Sequence, residues 1–206
     1  MTARKLFFIS AIGFVISATV GNTQAATIFD NTVFTQNGAQ GIQVPDLSGS
    51  GSYAQAFSTT AQDATITEIQ FLLSTFSAGS YSVDIYASDG FIPTGPILAN
   101  VFSGSTSFTS PRTVSGLNIT LAPSTQYFIA ASVTSGSLLW SYTNANTAPN
   151  TTLNASNDGN GWVTSNSEPL QMKVTAVPEP SIGILLAVAG CAAAVFRRYR
   201  RSPARP

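Results

Sequence analysis

The sequence predicts an all-β domain: an antiparallel β-sandwich, jelly-roll-like in its winding. Three observations carry that expectation. Apolar residues recur with period two, the runs are separated by Gly-, Pro- and Ser-rich turns, and no helical periodicity appears between the two ends of the chain. Many short strands punctuated in this way pack as two layers, with a closed barrel as the alternative.

Taken in order, strands are expected from Thr27 to Phe34 and from Tyr53 to Ser58. Next, Ile69, Phe71 and Leu73 face one way while Glu68, Gln70 and Leu72 face the other. Tyr81, Val83, Ile85 and Ala87 alternate with Ser82, Asp84, Tyr86 and Ser88, again leaving one face wet. Ile97 to Phe102, Leu117 to Leu121, Tyr127 to Val133, Leu138 to Tyr142 and Leu170 to Val174 complete about nine strands. Turns are expected at Ser48 to Ser52, Ala78-Gly79-Ser80, Ser88-Asp89-Gly90, Pro93 to Pro96, Ala122-Pro123-Ser124 and Ser135-Gly136-Ser137. Asn144 to Gly161, rich in Asn, Thr and Gly, reads as a long loop.

The two ends have a different character. Arg4 and Lys5 precede an apolar run from Leu6 to Val20 and small residues up to Ala25, the pattern of a signal peptide cut after Ala25, with an uncleaved anchor as the alternative. At the other end Val177-Pro178-Glu179-Pro180 precedes an apolar segment, Ser181 to Phe196, and a basic tail holding Arg197, Arg198, Arg200 and Arg201. Sixteen residues span about 24 Å as a helix, short of the roughly 30 Å hydrocarbon core. This transmembrane segment is therefore marginal, helped by snorkelling arginines that also hold its end in the cytoplasm. The division expected is 1–25 signal peptide, 26–176 exported domain and 177–206 sorting segment.

The proline-glutamate-proline motif, apolar segment and arginine cluster together resemble the bacterial PEP-CTERM sorting signal. That resemblance implies export, a transient single-pass stage in the inner membrane, and processing by an exosortase-type enzyme that recognises Pro178, Glu179 and Pro180. The final location it implies is the cell surface or the extracellular matrix of an exopolysaccharide-producing, biofilm-forming bacterium. A permanent single-span anchor is the alternative. Ala54-Gln55-Ala56-Phe57, Ile66 to Gln70 and Tyr81 to Tyr86 make the domain similar to the choice-of-anchor domains of exported bacterial proteins.

Composition narrows the chemistry. Between Ala26 and Ala176 only Arg112 and Lys173 are basic, against eight acids, a formal charge of −6. Such a surface repels phosphates, so a nucleic-acid partner is excluded. No histidine occurs, which removes Ser-His-Asp and Cys-His catalysis and imidazole metal sites. Cys191 lies in the apolar tail, where it reads as a small apolar residue and offers the domain no disulfide. No cofactor is expected.

Three side-chain sets remain as candidates. Trp140, Tyr142 and Trp162 form a sugar-stacking platform if they share an exposed face, and otherwise are packing residues. Glu68 and Asp84, on strands expected to be adjacent, are the one carboxylate pair suited to glycoside hydrolysis, against a reading as solvated surface acids. Asn157 to Gly161 reads as a tight turn, with calcium as the alternative. The functional expectation is a non-catalytic exported surface or matrix protein, possible contact with exopolysaccharide included. A carbohydrate-binding module is the alternative, and a glycoside hydrolase the weaker one.

Overall fold

A computed structural model describes residues 24–43, 51–61, 64–105, 110–143 and 153–178, which form eleven strands and, among the described residues, no helix. In chain order these are β1 (Ala26–Asp30), β2 (Gly38–Gln43), β3 (Ser52–Ser58), β4 (Ala64–Phe71), β5 (Leu73–Ser88) and β6 (Pro93–Ser105). They continue as β7 (Arg112–Leu121), β8 (Gln126–Tyr142), β9 (Asn154–Asn157), β10 (Trp162–Ser165) and β11 (Met172–Pro178). Every pairing is antiparallel. Sheet A has the order β1-β11-β4-β7, and sheet B the order β10-β9-β3-β8-β5-β6, with β2 on the second half of β8. With β2, β9 and β10 set aside, every connection between consecutive strands except β5–β6 changes sheet.

The two sheets bury their inner faces against each other. Phe29, Ile66, Ile69, Phe71, Met172 and Val174 from sheet A meet Phe57, Val83, Ile85, Ile129, Leu138 and Trp140 from sheet B in one core. These are the period-two apolar residues of the sequence, and burying each such side chain stabilises by about 1.5–3 kcal/mol. In β4 the register slips between Ile66 and Glu68, a bulge that leaves Thr67 and Glu68 half-buried between two core isoleucines.

Two expected turns are not turns. Ala78-Gly79-Ser80 lies inside the sixteen-residue β5, and Ser135-Gly136-Ser137 inside the seventeen-residue β8. The two glycine clusters face each other across this long pairing, where its register slips. A Cβ on Gly79 would stand 1.9 Å from the Ser135 carbonyl oxygen, and Gly136 has φ +73. The glycines let two backbones touch and the ribbon bend without ending it. The bend also changes which residues face inward. Tyr127, Ile129, Ala131 and Val133 are core residues before it, Leu138 and Trp140 after it.

Other boundaries also move. Pro93 to Pro96 opens β6, and the reversal is made at Asp89, whose Oδ1 accepts from the Phe91 and Ile92 N–H groups at 2.9 Å each. The Gln- and Gly-rich β2 has no apolar alternation to announce it. Within the expected loop Asn144 to Gly161, β9 is a strand that pairs with β3 and, through a tight turn, with β10. Residues 144–152 of that loop, and most of the expected turn at Ser48 to Ser52, lie outside the described residues.

Ala25–Pro178 forms one compact unit. Val177 and Pro178 complete β11 opposite Thr65 and Ala64, so the strand runs two residues past the expected domain end at Ala176. Proline, which cannot donate to a ladder, suits such a strand end. Residues 1–23 of the expected signal peptide, Glu179, Pro180, the apolar segment and Arg197, Arg198, Arg200 and Arg201 lie outside the described residues. No described helix is long and apolar enough to cross a membrane.

The bend yields a paired test. Gly79→Ala forces a side chain into backbone and is expected to cost about 3 kcal/mol or more. Gly90→Ala, at φ +102 with open space around it, is expected to cost only about 1–2 kcal/mol. Urea unfolding midpoints of the two variants check the difference; equal losses would remove the close approach as the cause.

Candidate functional site

The three aromatics expected to form one platform are separated. Trp140 is 0% exposed, packed edge-to-face on Phe71 with ring centroids 5.8 Å apart, and its indole N–H donates to the Gln171 carbonyl at 3.0 Å. Tyr142 is half-buried and packs against the same core. The bend at Gly136 is the reason, since beyond it the inward-facing residues of β8 switch from odd-numbered to even-numbered. Only Trp162 lies on the opposite, outer face of sheet B; Trp140 is corrected from a glycan contact to a core residue, and Tyr142 to a half-buried residue packed against that core.

Around Trp140 stands a set of buried amides that sequence reasoning missed. Asn31 donates to Leu170 O at 2.9 Å and accepts from Met172 N at 2.7 Å. Gln55 accepts from Leu170 N at 2.7 Å and donates to Leu153 O at 3.1 Å. Gln171 donates to Phe34 O at 2.8 Å. These side chains satisfy backbone groups where the chain leaves the ladders to change sheets. The signal for them was in the sequence: Gln55 sits between two alanines in a strand, a place where an amide must have a buried partner.

The carboxylate pair is also separated. Glu68 is on β4 of sheet A, beside Thr175 and Ser115. Asp84 is on β5 of sheet B, between Ala130 and Asn100. The strands β4 and β5 are consecutive in the chain but belong to different sheets. Both acids alternate with core residues and so point away from a core about 10 Å thick. That is more than the roughly 5–9.5 Å separation glycoside hydrolysis uses. Glu68 and Asp84 are therefore not a catalytic pair.

The outer face of sheet B is where polar and aromatic groups gather. Register aligns Ser103, Ser82, Ser132, Ser52, Asn157 and Trp162 in one row across six strands, with the Ser52 and Ser132 hydroxyls 2.6 Å apart. The next row is Asn100, Asp84, Ala130, Ala54 and Ala155. Asp84 is 4% exposed, and its carboxylate accepts from Asn100 Nδ2 at 2.6 Å and Ser82 Oγ at 2.8 Å. Beyond it Phe128, Ala56 and Tyr86 join the alanines in a second apolar cluster, on which Trp162 also packs. Tyr86 and Trp162 start four strands apart, yet their rings meet at 6.3 Å, tilted 65°. They do so by leaning toward each other over the alanines, which only small side chains beneath them permit. The wet face expected for Tyr81 to Ser88 is thus partly buried.

Electrostatics on this face are one-signed. Lys173 is on sheet A, 3.9 Å from Asp30, and Arg112 lies over the Phe102 ring at 4.4 Å. Burial pushes the Tyr86 phenol above its ordinary pKa of 10.0, and the Asp84 charge adds to the shift. Burial raises Tyr81 likewise, partly opposed by Arg112.

The Asn157 to Gly161 segment is a tight turn. Asn157 Oδ1 accepts from Gly159 N at 2.8 Å and Asp158 Oδ1 from Asn160 N at 3.0 Å, while Gly159 and Gly161 take positive φ. The Asn160 backbone N–H, with the Asn160 side chain, holds the Asp158 carboxyl below its usual range. Among the described residues no group of three or more His, Cys, Asp or Glu side chains converges.

Fold and face together define an antiparallel β-sandwich domain with one polar, aromatic-flanked outer sheet. No family model and no curated protein matches the sequence. Among solved structures it is similar to the cysteine protease and lectin-like domains of Cwp84, a surface layer associated protein of Clostridium difficile. The TM-score is 0.50 at 12% identity, covering 70% of this chain and 37% of that one. It is also similar to a clostridial Cwp84 variant after propeptide cleavage, with a TM-score of 0.53 at 10% identity, covering 77% and 41%. The chain spans about two fifths of the length of these structures, and the likeness is one of fold.

Two predictions follow from these environments. Gln55→Ala strands the buried Leu170 N–H and is expected to cost about 2–3 kcal/mol in denaturant unfolding, whereas Gln70→Ala, on the solvated face of sheet A, stays within about 0.5 kcal/mol. Because both tyrosine pKa values are raised on folding, their contribution to stability is full below 10.0 and is lost as pH rises through the folded values. Unfolding midpoints measured from about pH 9 to 12 should fall, less steeply in Tyr86→Phe; identical slopes would contradict the assignment.

Proposed function

We propose that this is a non-catalytic, exported cell-surface or extracellular-matrix protein whose sandwich binds carbohydrate. The observation that carries the reading is the outer face of sheet B, where a row of hydroxyls and amides lies beside the Tyr86–Trp162 pair, the combination of hydrogen-bonding groups and ring faces that sugars require. The alternation of strands between sheets, with the orders β1-β11-β4-β7 and β3-β8-β5-β6, is that of a jelly roll, an architecture of lectin domains. Support also comes from the fold likeness to a surface-layer-associated protein with a lectin-like domain. A non-catalytic role is favoured because the one candidate acid pair lies on opposite sides of the sandwich. In this reading the terminal segments deliver the domain. The signal peptide exports it, the apolar segment holds it briefly in the inner membrane, and an exosortase-type enzyme processes it at Pro178, Glu179 and Pro180.

Affinity electrophoresis of the protein through gels containing polysaccharides tests the binding, with slowed migration in at least one gel expected. Unchanged migration in all of them would contradict it. Delivery is tested separately by replacing Glu179 and Pro180 with alanine in the producing cells, which spares the β11 residue Pro178. The protein is then expected to stay in the inner membrane, and unchanged surface delivery would overturn the sorting part.

A further inference from the structure

We infer that the serine row of sheet B, Ser103-Ser82-Ser132-Ser52, together with the Asp84–Asn100 pair, is a binding cleft for an uncharged polysaccharide chain, with Tyr86 and Trp162 as its aromatic wall. This rests on the carbohydrate-binding reading above and adds the site and the ligand class. Neighbouring strands are about 4.8 Å apart, close to the length of one sugar unit, so a chain lying across the strands meets a fresh hydroxyl at each step. The row is continuous in register over β6, β5, β8 and β3 and ends at Asn157 and Trp162.

Hydrogen-bonding capacity points the same way. The Asp84 carboxylate, almost fully buried, is held by two neutral donors, Ser82 and Asn100, and uses two of its roughly four acceptor positions. It holds the exposed Asn100 amide beside the exposed Ser103 hydroxyl, and these two groups face the sugar hydroxyls at that edge. Serine hydroxyls both donate and accept, and so suit hydroxyls of either orientation. The half-exposed rings of Tyr86 and Trp162 offer the apolar surface that a sugar's C–H face seeks.

Charge selects the class. The domain's two cations are committed elsewhere, Lys173 beside Asp30 on sheet A and Arg112 over Phe102. A uronate or sulfated chain would meet Asp84 and a formal charge of −6 with no counter-charge on this face among the described residues. A neutral glycan pays no such repulsion, and its affinity should be insensitive to salt.

Isothermal titration of the exported protein with dextran, a soluble β-glucan, a mannan and the polyuronate alginate tests this. Binding to at least one neutral chain, unchanged by added salt, and none to alginate is expected. Asn100→Ala and Trp162→Ala should each weaken it about tenfold or more. Asp84→Asn, of the same shape, should weaken it too while leaving the unfolding midpoint close to the parent's. Thr120→Ala, on the outer face of sheet A, should bind normally. Neutral-chain binding that survives Asn100→Ala, Trp162→Ala and Asp84→Asn would place the ligand elsewhere, overturning the cleft while the carbohydrate reading stands. Binding of alginate alone would overturn the ligand class, and no binding of any chain would overturn the cleft and the reading together.

Discussion

At the Gln171 carbonyl oxygen, the Leu72 N–H arrives at 3.2 Å and the Trp140 indole N–H at 3.0 Å, and the two sheet-changing segments of the chain are thereby tied together. Leu72 is the corner between β4 and β5, and Leu170 to Gln171 is the approach to β11. Backbone at such corners leaves its ladder while still buried, and each unsatisfied group there costs about 1–3 kcal/mol. Ser141 completes the junction, donating to Leu72 O at 3.0 Å and accepting from Gln171 N at 2.8 Å. Asn31 and Gln55 bring β1 and β3 to the same segment. The order of both sheets depends on this knot, because it fixes where the chain crosses and which strands become neighbours. It also commits the largest aromatic residue of the interior to structure.

Those faces are unlike. Sheet A presents Thr65, Thr120, Thr113, Gln70 and Thr175 with the Lys173–Asp30 pair, a solvated surface of short polar side chains. On sheet B the same outward positions hold Ala54, Ala56, Ala130 and Ala155 at 0% exposure. Alanine is a poor strand former, and four of them on one face are explained by what lies on top, the Tyr86 and Trp162 rings. Room is thus made on one sheet for a wall of aromatic surface beside a row of hydroxyls. The asymmetry, more than any single residue, is what the proposed binding face on sheet B rests on.

Much of the fold was legible because period-two alternation depends only on one buried face per strand. Ile69, Phe71, Val83, Ile85 and Ile129 all lie in the core as that pattern requires. Legibility failed where a glycine has two uses. Gly79 and Gly136 read as turns, since nothing local distinguishes a reversal from a close approach between paired strands. It failed again at β2, whose single core residue is Ile42, and at Asn31, whose partners are 139 and 141 residues away. Of the three aromatics expected on one face, only Trp162 lies on the outer face of sheet B. The parity of Trp140 was set by a bend invisible in its own neighbourhood. Asn100 escaped notice because only the β5–β6 register brings it beside Asp84, and the role of Tyr86 because its ring partner Trp162 comes from four strands away.

The most direct measurement is amide chemical-shift mapping of the exported protein titrated with a neutral polysaccharide that it binds. Perturbations should concentrate at Ser82 to Tyr86, Asn100 to Ser103, Ser132 and the Trp162 indole, and leave the Trp140 indole and the outer face of sheet A unmoved. Shifts centred on sheet A, or spread evenly over both sheets, would contradict the assignment of sheet B as the binding face.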